Sequence, residues 1–130
     1  MDPELVKKIK IHMQDPKNRK AALRYMASMI KNGGVHYLCT ALRYYLMDTF
    51  EIDLEEIFVR YSYPTTNGIG ISELIPELIH PNTTKKYYNP TVWTYYLKDL
   101  YGDLDGQEIR LKHINNALNL LENGTKESLV

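Results

Sequence analysis

Apolar residues recur at helical spacing along most of this chain, and the breaks between stretches fall on cap-and-proline signatures. Asp2-Pro3 and Asp15-Pro16 each place a carboxylate at an N-cap and a proline at the first helical position. The first stretch predicts a helix to about His12, with Leu5, Val6, Ile9 and Met13 on its inner face. The second runs from Pro16 to about Lys31, burying Ala22, Leu23, Met26, Met29 and Ile30, and stops at Gly33-Gly34. A third follows at once from Val35 to about Phe50, on the stripe Val35, Leu38, Cys39, Leu42, Tyr45 or Leu46, and Thr49.

The middle of the chain supports two readings. Asp53 caps a short helix from Leu54 to Arg60, with Glu56 at the capping-box position. Alternatively, Ile57 to Tyr63 is a β-favouring run and Asn67-Gly68 a turn signal, so that a small β-hairpin near residues 57–72 is possible. Pro64 to Gly70 reads as loop under either reading. Ser72 opens a short helix that Pro76 keeps brief or kinked, ending near His80-Pro81. Residues 81–89 are a polar loop. Asn89-Pro90 then starts a helix through Trp93, Tyr96, Leu97 and Leu100, ended by Gly102. Asp105 and Glu108 form a capping box with Leu104 and Ile109 as its staple. The last helix buries Ile109, Leu111 or the stem of Lys112, Ile114, Leu118 and Leu121, and stops at Asn123-Gly124. The expected fold is mainly α, a single-domain bundle of five to seven helices over residues 1–124, with a frayed tail at 125–130.

Composition adds one strong signal. The chain holds eleven tyrosines against two phenylalanines and one tryptophan. Six tyrosines stand in adjacent pairs, Tyr44-Tyr45, Tyr87-Tyr88 and Tyr95-Tyr96. Neighbours in a helix point about 100° apart, so at most one ring of each pair sits at the centre of a buried stripe. The other rings belong at the rim of the core or on a recognition surface, where a ring with a hydroxyl is suited.

Sixteen basic and sixteen acidic residues cancel, which removes a global field for nucleic acid or anionic membrane. The distribution is uneven. Residues 1–31 carry eight cations (Lys7, Lys8, Lys10, Lys17, Arg19, Lys20, Arg24, Lys31) and three acids; residues 48–56 carry five acids and no cation. One cysteine, Cys39, excludes an internal disulfide and suits a reducing compartment. No apolar run approaches the roughly 20 residues of a bilayer span, and Met-Asp-Pro-Glu is unlike a signal peptide, so a cytoplasmic protein without a membrane partner is expected.

Candidate chemistry is sparse. His12, His36, His80 and His113 fall in four segments without metal-ligand spacing, so neither metal nor cofactor is expected. His36 and Cys39, three apart, would share a helical face as base and nucleophile, but a lone cysteine in an apolar stripe is more often core. Asn67-Gly-Ile-Gly70 lacks the lysine and following helix of a phosphate loop. Glu55-Glu56 and Glu73/Glu77 read as solvated faces.

The best recognition cluster is Lys85, Lys86, Tyr87 and Tyr88 with Trp93 and Tyr95, where cations stand beside rings that stack on a base. Arg110 joins it. A cation in the first turn of a helix is disfavoured by the macrodipole, so Arg110 is held either by a carboxylate (Glu73, Glu77 or Asp105) or by a ligand. The basic first two helices offer a competing nucleic-acid surface, though only Tyr25 interleaves their cations.

From Gly34 to Leu121 the chain resembles a group of small uncharacterised proteins from tailed phages of gut bacteria. The resemblance rests on Leu38-Cys39-Thr40-Ala41-Leu42, Ile75-Pro76-Glu77, Trp93 and Arg110, while Thr94 stands where that group usually has a second aromatic. The group has no established activity. The resemblance implies a phage or mobile-element accessory protein in the bacterial cytoplasm. Such proteins are often inhibitors of host or defence components that act by sequestration. The expectation is therefore a non-enzymatic binding protein for a bacterial protein or a nucleotide-like small molecule. Tyr44 or Tyr45 is available for a homo-oligomer seam.

Overall fold

The computed structural model describes residues 2–60, 69–79 and 97–123. Helices dominate, and the fold is a small, mainly α bundle. Helix α1 (Pro3–Gln14) and helix α2 (Pro16–Asn32) begin as the cap signatures require. Asp2 Oδ1 accepts the Glu4 N–H at 3.0 Å, and Asp15 Oδ1 accepts the Lys17 N–H at 2.9 Å. Both carboxylates satisfy first-turn donors that would otherwise lack a partner.

Helix α3 (Leu38–Phe50) starts three residues later than its apolar stripe suggests. Gly34 adopts φ +74°, and Val35, His36 and Tyr37 stay out of the helix, with Tyr37 extended as its N-cap. Two consequences follow. His36 and Cys39 share no helical face, which removes the geometry of a base and nucleophile pair, and Cys39 is buried. The far end of the stripe also shifts, because Thr49 is exposed while Tyr45 and Leu46 are both buried. Tyr45 therefore turns inward and is not a seam residue; Tyr44 is half-buried.

The middle of the chain is built from short pieces. Asp53 and Glu56 form the expected capping box, with Glu56 Oε2 accepting the Asp53 N–H at 3.0 Å, but only the single 3-10 turn Leu54–Glu56 follows. Strand β1 (Val59–Arg60) pairs with strand β2 (Ile69–Gly70) in parallel, Val59 opposite Ile69. Parallel pairing is not a hairpin. The expected β segment exists as two short strands whose neighbouring ends cannot be joined by a tight turn. Arg43 holds this region onto α3, donating from Nε to the Ile57 carbonyl and from Nη2 to the Leu54 carbonyl, both at 2.8 Å.

Helix α4 (Ile71–Leu74) is one turn long, starting one residue before Ser72, and gives way at Ile75 to the 3-10 turn Pro76–Leu78. The break falls where Pro76 removes a helical donor. Of helix α5 only residues 97–101 are described; they are helical and end at Gly102, φ +88°. Helix α6 (Gly106–Asn123) is capped by Asp105, whose Oδ1 accepts the Gln107 and Glu108 N–H groups at 2.9 and 3.2 Å.

Helix α2 is the spine, packed on α3 and α6, with α1 laid across α2 and α4. Its inner residues Ala22, Leu23, Met26 and Ile30 meet Leu38, Leu42 and Leu46 of α3 and Ile109, Ile114 and Ala117 of α6 in one core. Met29 reaches that core only from its edge. His113 is the buried polar residue of α6, and its ring is fully used: Nε2 donates to the Leu78 carbonyl while Nδ1 accepts from the Tyr101 hydroxyl, each at 2.6 Å. The Tyr101 oxygen in turn accepts from Asn116 Nδ2 at 3.0 Å. That chain ties α5, α6 and the Pro76–Leu78 turn together.

Candidate functional site

Of the residues that the sequence singles out for recognition, Lys85, Lys86, Tyr87, Tyr88, Trp93 and Tyr95 lie outside the described residues. Arg110 is described, and none of the carboxylates suggested for it holds it. Glu77 is taken by Arg19, Glu73 by Lys10 at 3.3 Å and by the Gly70 N–H at 2.8 Å, and Asp105 by its capping bonds. Glu77 is thus structural, while Glu73 stays at the surface, as a solvated face requires. Arg110 instead lays its guanidinium over the Tyr37 ring, 5.0 Å from the centroid, with no carboxylate paired to it among the described residues.

Three local choices build this arrangement. The non-helical Gly34–Tyr37 segment carries Tyr37 to Arg110, one turn into α6, rather than into a helix. Gly106 leaves room for the guanidinium, since a Cβ there would come within 2.7 Å of Arg110 Nη1. Gln107 closes the end of α2, donating from Nε2 to the carbonyls of Ile30 and Lys31 at 3.1 and 3.3 Å. These are terminal α2 carbonyls that no turn of helix satisfies.

The result is a cleft of about 270 Å³ lined by Ile30, Lys31, Asn32, Gly34, Val35, His36, Gln107 and Arg110. Lys31 and Arg110 give it positive charge, and no acidic residue lines it. A guanidinium stacked on a ring through its face can bind phosphate or carboxylate through paired hydrogen bonds at its N–H edge. The volume is just below that of typical small-molecule sites, about 300–1,000 Å³.

Sequence reasoning reaches Arg110 through its adverse position near a helix start. It misses Tyr37, Lys31 and Gln107. The first two are far along the chain from the third, and they meet only through the packing of α2 on α6.

The expected nucleic-acid face is weakened by its own pairings. Arg19 is bound to Glu77 within the fold, and Arg24 to Glu122 and Lys10 to Glu73 at the surface, so part of the basic charge of α1 and α2 is paired with carboxylates of the same chain. Among the described residues there is no grouping of His, Cys, Asp and Glu that could hold a metal, and no helix long and apolar enough to cross a membrane. No protein-family model, curated protein or solved structure matches the chain.

Proposed function

We propose that this protein is a non-enzymatic binding protein that captures a nucleotide-like anion through the Arg110 cleft. In keeping with the phage-group resemblance, it acts in the bacterial host cytoplasm as an accessory inhibitor, removing a signal that a defence or host component needs. One observation carries the reading: Arg110, at the start of the second turn of α6, lies on an aromatic ring at an acid-free cleft, with no counter-ion among the described residues. An incoming phosphate supplies the missing charge and meets Lys31 at the same time. Lys85, Lys86, Tyr87, Tyr88, Trp93 and Tyr95 remain the proposed source of further phosphate and base contacts.

Thermal unfolding against a panel of mono-, di- and cyclic nucleotides tests this. A ligand present at 100 times its dissociation constant adds about 2.7 kcal/mol. For a domain of this size the midpoint then rises by several degrees. The expected result is a clear shift with one nucleotide, abolished in the Lys85→Ala/Lys86→Ala/Arg110→Ala variant without loss of fold. No shift with any nucleotide contradicts nucleotide capture and turns the reading to a bacterial protein as the sequestered partner.

A further inference from the structure

A second cleft, sharing no lining residue with the first, lies between the start of α1 and the segment that follows α3. It encloses about 500 Å³ and is lined by Asp2, Glu4, Leu5, Lys8, Phe50, Ile52, Glu55, Glu56 and Phe58. Its floor is apolar (Leu5, Phe50, Ile52, Phe58), and its rim bears four carboxylates against one lysine. Two of the carboxylates already serve the backbone, Asp2 as the α1 cap and Glu56 in the capping box. Glu4 and Glu55 have no side-chain partner among the described residues.

Large apolar side chains are exposed here. Phe58 is 48% exposed and Ile11 57%. Ile11 lies on the α1 stripe that runs from Glu4 through Lys8, so it prolongs the apolar surface beyond the cleft by one turn. Tyr37 is the remaining large hydrophobic exposed among the described residues, and it lies under Arg110.

We propose that this cleft docks a cationic, amphipathic segment of a protein partner. One or two large apolar side chains enter between Leu5, Phe50 and Phe58, while flanking Lys or Arg residues meet Glu4, Glu55 and their neighbours. Charge fixes the class of occupant: a nucleotide or an acidic peptide would face three net negative charges (four carboxylates less Lys8). Apolar anchors in a pocket with complementary charges at the rim are the usual division of labour at a protein interface.

Titration with a short fluorescent amphipathic peptide made only of Leu and Lys, and with its Leu/Glu counterpart, tests the assignment. The wild-type protein should bind the Lys peptide and not the Glu peptide, and Glu4→Gln/Glu55→Gln should weaken binding at least tenfold with an unchanged unfolding midpoint. Phe58→Ser should weaken it similarly. Since Phe58 also packs against Arg43, 5.5 Å from its ring centroid, the glutamate pair is the decisive variant. Equal binding of both peptides, or no loss in the glutamate variant, overturns the proposal. So does a sedimentation result showing that the cleft is filled by a second copy.

Discussion

Two arginines near helix starts, Arg19 of α2 and Arg110 of α6, have opposite surroundings. Arg19 is nearly buried and completely engaged: Nε and Nη2 bind both oxygens of Glu77 at 3.0 and 3.1 Å, and Nη1 donates to the carbonyls of Met13 and Gln14 at 2.9 Å. One side chain thereby joins the end of α1, the start of α2 and the Pro76–Leu78 turn. Arg110 has a ring beneath it and an open, acid-free cleft beside it. The same chemistry is closed in one place and incomplete in the other. A closed arginine is explained by the fold that it holds together; an incomplete one invites a ligand.

Substitution separates the two arginines most visibly. Arg19→Met strands the Glu77 carboxylate, whose side chain is only 13% exposed, and should cost about 3 kcal/mol, read in denaturant unfolding. Arg110→Met should cost less than about 1 kcal/mol, the scale of an exposed cation–π contact, while removing nucleotide-dependent stabilisation. A large stability loss at Arg110 would make it a second structural knot.

A smaller effect is expected from pH, at the side of α1 that Arg19 helps to anchor. His12 Nε2 is hydrogen-bonded to Tyr45 Oη, 2.8 Å away, and the ring packs edge-on to Phe50. Burial holds its pKa below the ordinary 6.5, with Asp15 opposing. The folded state thus resists protonating His12. Its stabilising share is fully present above about pH 6.5 and is lost as pH falls through the lowered value. The unfolding midpoint should decline more between pH 6.5 and 5 in the wild type than in His12→Gln; parallel curves would show that His12 does not set the acid limit.

The smallest expected effect on stability is at Gly106. An alanine there improves helix propensity but drives its Cβ into the Arg110 guanidinium, the movable end of a flexible side chain. Gly106→Ala should keep or slightly raise the unfolding midpoint while weakening nucleotide binding. Unchanged affinity would show that the seat of Arg110 on Tyr37 does not matter.

Caps and stripes are legible in the sequence because they are local. Asp2, Asp15, Asp53 and Asp105 cap as their spacing requires. The apolar stripe misplaces the start of α3 because Val35 fits it, while the left-handed Gly34 and the packing of the next residues against α6 decide otherwise. The β-favouring run Ile57 to Tyr63 contains β1, but Ile69–Gly70, which reads as loop, is strand β2, because its strand character comes only from pairing with Val59–Arg60. His113 is hidden because a polar residue on an apolar face reads as an interruption until Leu78 and Tyr101 supply its two bonds. Arg110 is singled out in the sequence as a first-turn cation, yet α6 begins at Gly106 and places it one turn in, while its ring and its cleft are products of tertiary packing.

Whether Arg110 is an open ligand site can be read at the side chain itself. The guanidinium Nε–H signals of Arg19 and Arg110 are followed by NMR while an equimolar mixture of nucleoside mono-, di- and triphosphates and cyclic nucleotides is added. The Arg110 signal should move and saturate while that of Arg19 stays fixed. An Arg110 signal as still as that of Arg19 would contradict nucleotide capture at this cleft.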